Sequence, residues 1–168
     1  GVLKIMTVAP ERDGFKEFAS KALNNNVTLM IGHSAADSKT SLEALKDGCS
    51  GFTHLYNAMS QHMHREPGNV TAAFIDDKAY AELIVDGFHV REDIVKATYK
   101  ILGPKRICLI TDAMLGKGID DGIYTFSATE YPHYIMGDFE KTEVLEGQDR
   151  FEFSGSVDAT GDLKTLLL

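Results

Sequence analysis

Short apolar runs alternate with amphipathic segments along the first two thirds of the chain. Continuous apolar runs are typical of strands that are covered on both faces, as in a parallel sheet. Five such runs occur, at residues 3–8, 27–31, 80–85 and 107–110 and in the segment that ends at Phe52. Segments with helical periodicity lie between them. The pattern therefore predicts an α/β fold in which helices wrap a parallel sheet.

Two of the predicted helices have residues that indicate their ends and their buried faces. In one, Ser38 is predicted as the N-cap, Leu42 and Leu45 form the inner face, and Gly48 ends the helix. Another helix is predicted over residues 91–102, directly before a Gly-Pro pair that stops it. Its inner stripe is predicted to contain Ile94, Val95, Ala97, Ile101 and Leu102.

The number of strands sets the architecture that we expect. An eight-stranded (β/α)₈ TIM barrel typically needs about 250 residues, so a chain of 168 residues with five strands predicts a partial barrel, roughly its second half. Residues 1–116 are predicted to form that half, 117–156 a β-rich excursion, and 157–168 the start of a returning helix. The chain opens on Gly1 inside an apolar run and ends within a helical pattern, so both ends look cut.

Composition and charge narrow the classes of partner. The chain is 43% hydrophobic and carries 25 acidic against 17 basic residues, and its net charge of -8 argues against nucleic acid, which requires a basic face. It has neither an apolar run of membrane-spanning length nor an export signal, so we expect no membrane association and a cytoplasmic location. Cys49 and Cys108 each adjoin a predicted strand and are expected to be reduced core residues.

Four side chains of the types that bind metals follow predicted strands. His33, His54, His89 and Asp112 each come just after an apolar run. Because parallel barrel strands deliver their last residues to one rim, these side chains are expected to converge on one cavity. Imidazoles and a carboxylate suit zinc or a similar divalent ion. Each has an ordinary alternative, since a histidine at a strand end is often only hydrogen-bonded and Asp112 could be a helix N-cap.

Neighbouring residues offer further chemistry with equally ordinary alternatives. His89 could donate to a substrate oxygen or simply pair with Asp86. Glu11 follows the first strand, where it could bind a metal, although a glutamate in the first turn of a helix is explained by the helix dipole alone. Arg65 lies in a polar loop and carries a planar fork of donors that suits a phosphate, or it is a solvated loop residue.

Six ordered motifs identify a resemblance to a known family. The chain resembles the N-acetylglucosamine-6-phosphate deacetylases, metal-dependent barrel hydrolases of the amidohydrolase superfamily, over nearly its whole length. The motifs are Thr7-Val8-Ala9-Pro10-Glu11, Gly32-His33-Ser34, the segment from Thr53 to Met59, Arg65 to Gly68, Asp86 to Val90, and Thr111-Asp112-Ala113.

The resemblance implies a reaction and a role for each matching residue. It implies that water activated by a divalent metal removes the acetyl group of N-acetylglucosamine 6-phosphate, a step of amino-sugar catabolism and cell-wall recycling. Zinc is expected, with iron, manganese or cobalt as alternatives, and His33 and His54 would hold it. Asp112 would be the catalytic acid and base, His89 would hold the substrate, and Arg65 would bind the phosphate, from the neighbouring subunit of a homodimer. The further substrate contacts that it implies are Asn57, Ala58, Asp86, Gly87, Phe88, Phe153, Ser154, Gly155 and Ser156.

The chain also departs from the family pattern in two places. The family's glutamate ligand lies in a His-Leu-Glu-Gly-Pro motif that this sequence does not contain, and Glu11 matches a different string. The Phe153-Ser154-Gly155-Ser156 loop differs from the usual Leu-Ala-Gly-Ser or Leu-Ser-Gly-Ser. Two other interpretations therefore stay open: another amidohydrolase, such as a deaminase or cyclic amidase, and an inactive fragment or assembly module that pairs through its open edges.

Overall fold

A computed structural model of the chain describes residues 1–113, 142–144 and 151–153. Strands and helices alternate through the first of these ranges, as the apolar pattern predicts. In chain order, the elements are β1 (Ile5–Val8), α1 (Phe15–Asn24), β2 (Thr28–Ile31), α2 (Ser38–Lys46), β3 (Cys49–Phe52), α3 (Asn69–Ile75), β4 (Tyr80–Ile84), α4 (Glu92–Leu102), β5 (Ile107–Ile110), β6 (Thr142–Val144) and β7 (Phe151–Phe153).

The first five strands form one parallel sheet in the order of the chain, from β1 to β5. Each strand pairs in parallel with the next one, and every crossover contains one helix. The crossover from β3 to β4 also contains a long loop before α3. Parallel strands in sequential order are the arrangement of a (β/α) barrel. The predicted fold class, an α/β fold containing part of such a barrel, is therefore confirmed.

The chain divides into two compact units, residues 1–111 and 112–168. The sheet and its helices belong to the first unit. In the second unit, β6 and β7 pair antiparallel, with Thr142 opposite Phe153. The division into 1–116, 117–156 and 157–168 remains a prediction. Most of the β-rich excursion predicted over 117–156 and the helix predicted over 157–168 lie outside the described residues, as do Ser154, Gly155 and Ser156.

The hydrophobic core lies between the sheet and its helices. Leu29, Ile31, Phe52 and Leu83 are almost completely excluded from solvent, and they project from the three central strands. Glycine is required at one point of this sheet, because a Cβ on Gly51 would overlap the backbone carbonyl of the paired strand β4. The close approach of β3 and β4 therefore depends on the absence of a side chain at this position.

Helix α2 begins with a different cap from the one predicted. Asp37, not Ser38, is the N-cap, and its carboxylate accepts a hydrogen bond of 2.7 Å from the backbone N–H of Thr40. That hydrogen bond lowers the pKa of Asp37 below its usual value. The fully buried residues of α2 are Ser41 and Ala44, one residue away from the predicted Leu42 and Leu45, which are half-buried against the core. Small residues allow α2 to pack closely on the sheet.

The two outermost strands are more exposed than a strand covered on both faces would be. Most of β1 is exposed, and Leu109 of β5 retains 74% of its accessible surface. Cys108 is exposed as well, so its predicted place in the core is wrong, whereas Cys49 is buried. Within the described residues, each edge strand has a neighbour on one side only, which leaves its side chains without the contacts that cover the central strands.

Helix α4 is confirmed over nearly its whole predicted length, but its predicted stripe is only partly buried. Leu102 and the unpredicted Thr98 are buried, whereas Ile94 and Ile101 remain 41% and 50% exposed, and Ala97 is exposed. Among the described residues, no helix has the length and apolar character needed to cross a membrane.

At the amino-terminal end of β5, one arginine joins two helices to the sheet. Arg106 donates through Nη1 to the carbonyl oxygens of Ala73, Asp76 and Ala79, and through Nε to that of Leu102. These carbonyls lie at the ends of α3 and α4 and before β4, where a helix or loop leaves acceptors without backbone partners. Arg106 therefore closes the end of the sheet opposite to the predicted site.

Candidate active site

Two histidines meet at the carboxyl-terminal ends of β2 and β3. The Nε2 atoms of His33 and His54 lie 3.0 Å apart, and the rings meet edge to face with centroids separated by 4.8 Å. Two imidazole nitrogens on one tetrahedral zinc ion would be about 3.3 Å apart, given zinc–nitrogen bonds of about 2.0–2.1 Å. The pair that the sequence predicts is therefore brought together at a separation close to that of two ligands of one metal.

The surroundings of His54 are unusual for a structural histidine. Its side chain is only 5% exposed, and its buried Nδ1 has no hydrogen-bond partner among the described residues. An unpaired buried polar atom typically costs about 1–3 kcal/mol, so this ring is held in place at the expense of stability. The donor set suits a divalent metal, although within the described residues no group of three or more His, Cys, Asp or Glu side chains is arranged around one point.

The backbone is strained at the ends of these strands. His33 and His54 have φ angles of 48° and 34°, and Tyr56 and Ala58, which follow His54, have φ angles of 82° and 47°. Left-handed φ angles are uncommon for residues other than glycine, and they cluster at functional sites. In the second unit, Asp112 has a φ of 52°, and it is exposed two residues after the end of β5.

Beneath the histidine pair, two threonines meet across β2. Thr7 Oγ1 and Thr53 Oγ1 are 2.8 Å apart, although they belong to β1 and to the segment directly after β3. The two threonine side chains pass over Gly32, where a Cβ would lie 2.7 Å from the Thr7 Cγ2 and 2.9 Å from the Thr53 Cβ. Side chains from alternate strands form such layers inside a barrel. Gly32 and Thr53 directly precede His33 and His54, so this layer helps to fix both rings.

The loop after β3 is held by its own hydrogen bonds. Asn57 donates through Nδ2 to the carbonyl of His54, at 3.2 Å, and the Tyr56 hydroxyl bonds to Thr98 Oγ1 on α4. Burial raises the pKa of Tyr56 above its usual value, so this hydroxyl remains neutral. The segment that contains Asn57 and Ala58 is therefore held beside His54, and Tyr56 attaches it to helix α4.

The loop after β4 places a histidine against a carboxylate. His89 Nδ1 lies 2.6 Å from Asp86 Oδ2, and Asp86 Oδ1 accepts from the backbone N–H groups of Phe88 and His89. Partial burial opposes ionisation of Asp86, but the bonds from His89 and Phe88 outweigh it and lower the pKa of Asp86. Gly87 supplies the left-handed turn, with a φ of 81°. Asp86 thus orients the ring of His89 and leaves Nε2 for other partners.

Glu11 has a definite role in this structure, as a support for the loop after β2. Its carboxylate accepts from the hydroxyl of Ser34 at 2.7 Å and from the backbone N–H of Ala35 at 2.8 Å. Ser34 follows His33 directly, so Glu11 fixes the loop that carries this ring. Neither a metal contact nor the helix dipole is needed to explain its place.

Sequence reasoning missed a buried polar cluster beside the site. Asn69 is fully buried at the start of α3 and bonds to Ser34, Ser41 and Ser60, each at 2.8 Å. In the sequence, Asn69 reads as the last residue of a polar loop, and the three serines are ordinary loop or helix residues. The contacts of Asn69 with Ser41 and Ser34 span 28 and 35 positions of the sequence. Only such long-range contacts show that these residues form one cluster.

Arg65 lies apart from these contacts, in the exposed stretch of residues 61–67. Its guanidinium makes no hydrogen bond or ion pair with any described residue, and His62 and His64 are exposed in the same stretch. His133 lies outside the described residues. A cavity of about 320 Å³ opens between α1 and α2, but none of the predicted site residues lines it. The described site is therefore an open rim of the sheet.

Known proteins similar to this chain share one chemistry. The N-acetylglucosamine-6-phosphate deacetylase of Bacillus subtilis is 41% identical over 126 residues, which are 75% of this chain and 32% of that protein. The N-acetylgalactosamine-6-phosphate deacetylase of Escherichia coli O157:H7 is 39% identical over 128 residues, which are 76% of this chain and 34% of that protein. No protein-family model matches the chain.

Solved structures give the same result. A crystal structure of the N-acetyl-D-glucosamine-6-phosphate deacetylase of Mycobacterium smegmatis has a TM-score of 0.68 and 38% identity, and the match covers 71% of this chain and 34% of that one. A variant of that enzyme in complex with N-acetyl-D-glucosamine-6-phosphate has a TM-score of 0.69 and 31% identity, covering 90% and 38%. The chain spans about a third of the length of the curated relatives that it matches. In sequence and fold, the chain is therefore similar to about a third of the length of N-acetylglucosamine-6-phosphate deacetylases.

Proposed function

We propose that the protein to which this sequence belongs removes the acetyl group from N-acetylglucosamine 6-phosphate and releases glucosamine 6-phosphate and acetate. The observation that supports this most directly is the His33–His54 pair, with its Nε2 atoms 3.0 Å apart at the carboxyl-terminal rim of a parallel sheet. Catalytic sites of such barrels lie at that rim. The relatives carry names of deacetylases for two epimeric sugar phosphates, so both epimers are candidate substrates.

His33 and His54 are the residues that would hold a divalent metal, with zinc first and iron, manganese or cobalt as alternatives. Such an ion acts as a Lewis acid that polarises a carbonyl and makes water more acidic. Asp112 would accept a proton from the attacking water and deliver it to the departing amine nitrogen. His89, oriented by Asp86 through Nδ1, would hold a substrate oxygen through Nε2 and stabilise charge that develops there.

The phosphate and the sugar need separate partners. Arg65 would bind the phosphate with its fork of donors, supplied by the neighbouring subunit of a homodimer, which agrees with its exposed position. Asn57 and Ala58 would contact the sugar phosphate. The other contacts in the proposal come from Gly87, Phe88, Phe153, Ser154, Gly155 and Ser156. The two cysteines are free, as is usual for a protein of the cytoplasm, where we propose that the reaction takes place.

The first experiment measures bound metal and acetate release with both epimers of the acetylated sugar phosphate. We expect bound metal and turnover, and we expect Asp112→Asn to lower kcat by about 10²- to 10⁴-fold, as for the loss of a general acid and base. Asp77→Asn, an exposed carboxylate after α3, is the matched control and should leave kcat unchanged. Normal turnover in Asp112→Asn would overturn the assigned role, and absence of both metal and turnover from the full-length protein would overturn the function.

The choice between this reaction and that of another amidohydrolase depends on Arg65. A deaminase or cyclic amidase would share the histidines and the aspartate but would need no phosphate ligand. If Arg65→Ala raises KM for the phosphorylated sugar and leaves KM for N-acetylglucosamine unchanged, the deacetylase is supported. Equal effects on the two substrates would favour the alternative.

A further inference from the structure

A buried amide connects the two loops that carry the predicted metal ligand and the predicted phosphate ligand. We define the hub as Asn69 with Ser34, Ser41 and Ser60, and the arm as residues 61–68, which carry Arg65. Asn69 is fully buried, and its side-chain oxygen, side-chain nitrogen and backbone N–H all have partners within the chain. A buried polar network in which every group is paired imposes one geometry on the segments that it joins.

The arm is closed at its base. The backbone N–H of Gly68 donates to the carbonyl of Gln61 at 2.9 Å, and His62 forms an isolated antiparallel bridge with Pro67. At the same place, Ser38 donates through its backbone N–H to the carbonyl of Pro67 at 2.8 Å. The arm therefore leaves the sheet in a fixed direction, and its exposed tip carries Arg65.

Ser60 and Asn69 clamp this base from the inside. The backbone N–H and the Nδ2 of Asn69 both donate to Ser60 Oγ at 2.8 Å, and Ser60 Oγ donates to the carbonyl of Ala36. A Cβ at Gly68 would overlap Ser60, so glycine permits this close approach. The two residues that flank the arm are thus bonded directly to each other.

The second N–H of the amide reaches the loop of the metal ligand. Asn69 Nδ2 donates to the carbonyl of Ser34 at 2.8 Å, and Ser34 follows His33 directly. The Ser60 backbone N–H donates to the same carbonyl at 3.1 Å. On the opposite side, Asn69 Oδ1 accepts from the hydroxyl of Ser41 in α2. One side chain therefore fixes the arm, the His33 loop and α2 together.

We infer that Asn69 is a positioning residue, which fixes the arm that carries Arg65 and the loop that carries His33 without contacting the substrate. This inference rests on the proposed function for its kinetic consequence, because Arg65 is the proposed phosphate ligand. Loss of the amide should misplace the arm and leave the chemistry of the metal ligands nearly intact. The expected signature is a change in KM for phosphorylated substrate that exceeds any change in kcat.

The test compares Asn69→Leu, which keeps the size of the side chain and removes the amide, with Asn24→Leu. Asn24 is exposed at the end of α1 and lies outside the hub, so the same substitution there is the matched control. We expect Asn69→Leu to raise KM for N-acetylglucosamine 6-phosphate by about 2- to 30-fold, the usual range for a residue that acts through others. KM for N-acetylglucosamine should stay the same, and Asn24→Leu should change neither constant.

The second part of the test uses the variant Arg65→Ala. If Asn69 acts through Arg65, adding Asn69→Leu to Arg65→Ala should change KM no further, because the misplaced group is already gone. An additive increase would overturn the inference. Ser60→Ala is a milder change at the same base, and it should reproduce the effect if Asn69→Leu fails to fold.

Hydrogen exchange keeps the inference testable if the proposed function fails. In Asn69→Leu, the amides of the arm and of residues 32–36 should both exchange faster than in the unchanged chain, whereas Asn24→Leu should leave the arm protected. Faster exchange without a KM effect would contradict the proposed function alone. Unchanged exchange in either segment would overturn the positioning role of Asn69, whatever the activity.

Discussion

The two ends of the parallel sheet are built in opposite ways. At the carboxyl-terminal end, His33 and His54 have left-handed backbones, and a buried nitrogen of His54 has no partner among the described residues. At the amino-terminal end, Arg106 donates to four carbonyls, and it covers acceptors from α3, α4 and the segment before β4. The carboxyl-terminal end leaves this one buried nitrogen without a described partner, whereas the amino-terminal end pairs its carbonyl groups.

This contrast shows where the fold gives up stability. Strained φ angles cost of the order of 1–3 kcal/mol each and persist only where the surrounding structure enforces them. Here the enforcement is visible, in the Thr7–Thr53 layer, in Glu11 and in the hub around Asn69. Changes at the rim should therefore alter binding more than stability, and changes at the opposite end should do the reverse.

The largest effect is expected from His54→Asn, through metal binding. Loss of one of two imidazole ligands should weaken zinc or cobalt binding by more than about 100-fold, the upper value for loss of an outer-shell partner alone. The free energy of unfolding of the metal-free protein should change by less than about 1 kcal/mol, because removal of the unpaired nitrogen offsets lost contacts and asparagine tolerates a positive φ.

Calorimetric titration with zinc and chemical denaturation measure these two quantities. His62→Asn, in the exposed arm, is the control and should leave the metal affinity unchanged. Unaltered metal affinity in His54→Asn would show that the histidine pair is not the metal site.

Arg106→Ala should give the opposite result. Removing four hydrogen bonds to carbonyl oxygens should lower the free energy of unfolding by about 2–4 kcal/mol, because these acceptors lose a charged donor. Metal affinity should not change, since the residue lies at the far end of the sheet. Arg12→Ala, an exposed arginine, should change stability by no more than about 0.5 kcal/mol. A larger effect on metal binding than on stability would contradict the contrast between the ends.

Gly32→Ala should lower both stability and metal affinity, although it lies at the rim. The new Cβ would lie 2.7 Å from the Thr7 Cγ2, so we expect a loss of about 1–3 kcal/mol from overpacking. Metal affinity should also fall, because His33 is the next residue. Thr7→Ser removes the methyl group and keeps the hydroxyl that bonds to Thr53, so it should restore part of both losses. Denaturation and zinc titration of the double variant provide the check, and no recovery would argue against this contact as the cause.

The smallest effect is expected at Asp86. Its pKa is lower in the folded protein than in the unfolded chain, so its contribution is fully present above a pH of about 4 and is lost as the pH falls through the folded pKa. Because the carboxylate is partly exposed, Asp86→Asn should lower stability at neutral pH by less than about 1 kcal/mol. Denaturation at several pH values should show the difference between the two proteins vanishing in acid. A difference that grows in acid would contradict this sign.

The amino-acid sequence alone determined the order of the elements and the identity of the rim residues. Buried parallel strands produce continuous apolar runs, and α2, α4 and the five strands of the sheet lie where the patterns of the sequence predict them. The position of His33 and His54 directly after two such runs follows from the same rule, because parallel strands deliver their ends to one rim. The resemblance to the deacetylase motifs implies roles for these residues, which stay predictions, and the similar proteins agree with the resemblance.

Only the tertiary structure decided which polar residues support the rim and which apolar residues are exposed. Helix α3 was not apparent in the sequence, because seven residues with apolar character carry no clear period. Asn69 and Thr7 bond to residues far along the chain, and Asp37 rather than Ser38 caps α2, since a cap depends on the path of the backbone. Local patterns record burial and periodicity, but hydrogen bonds between distant segments exist only once the strands are packed side by side.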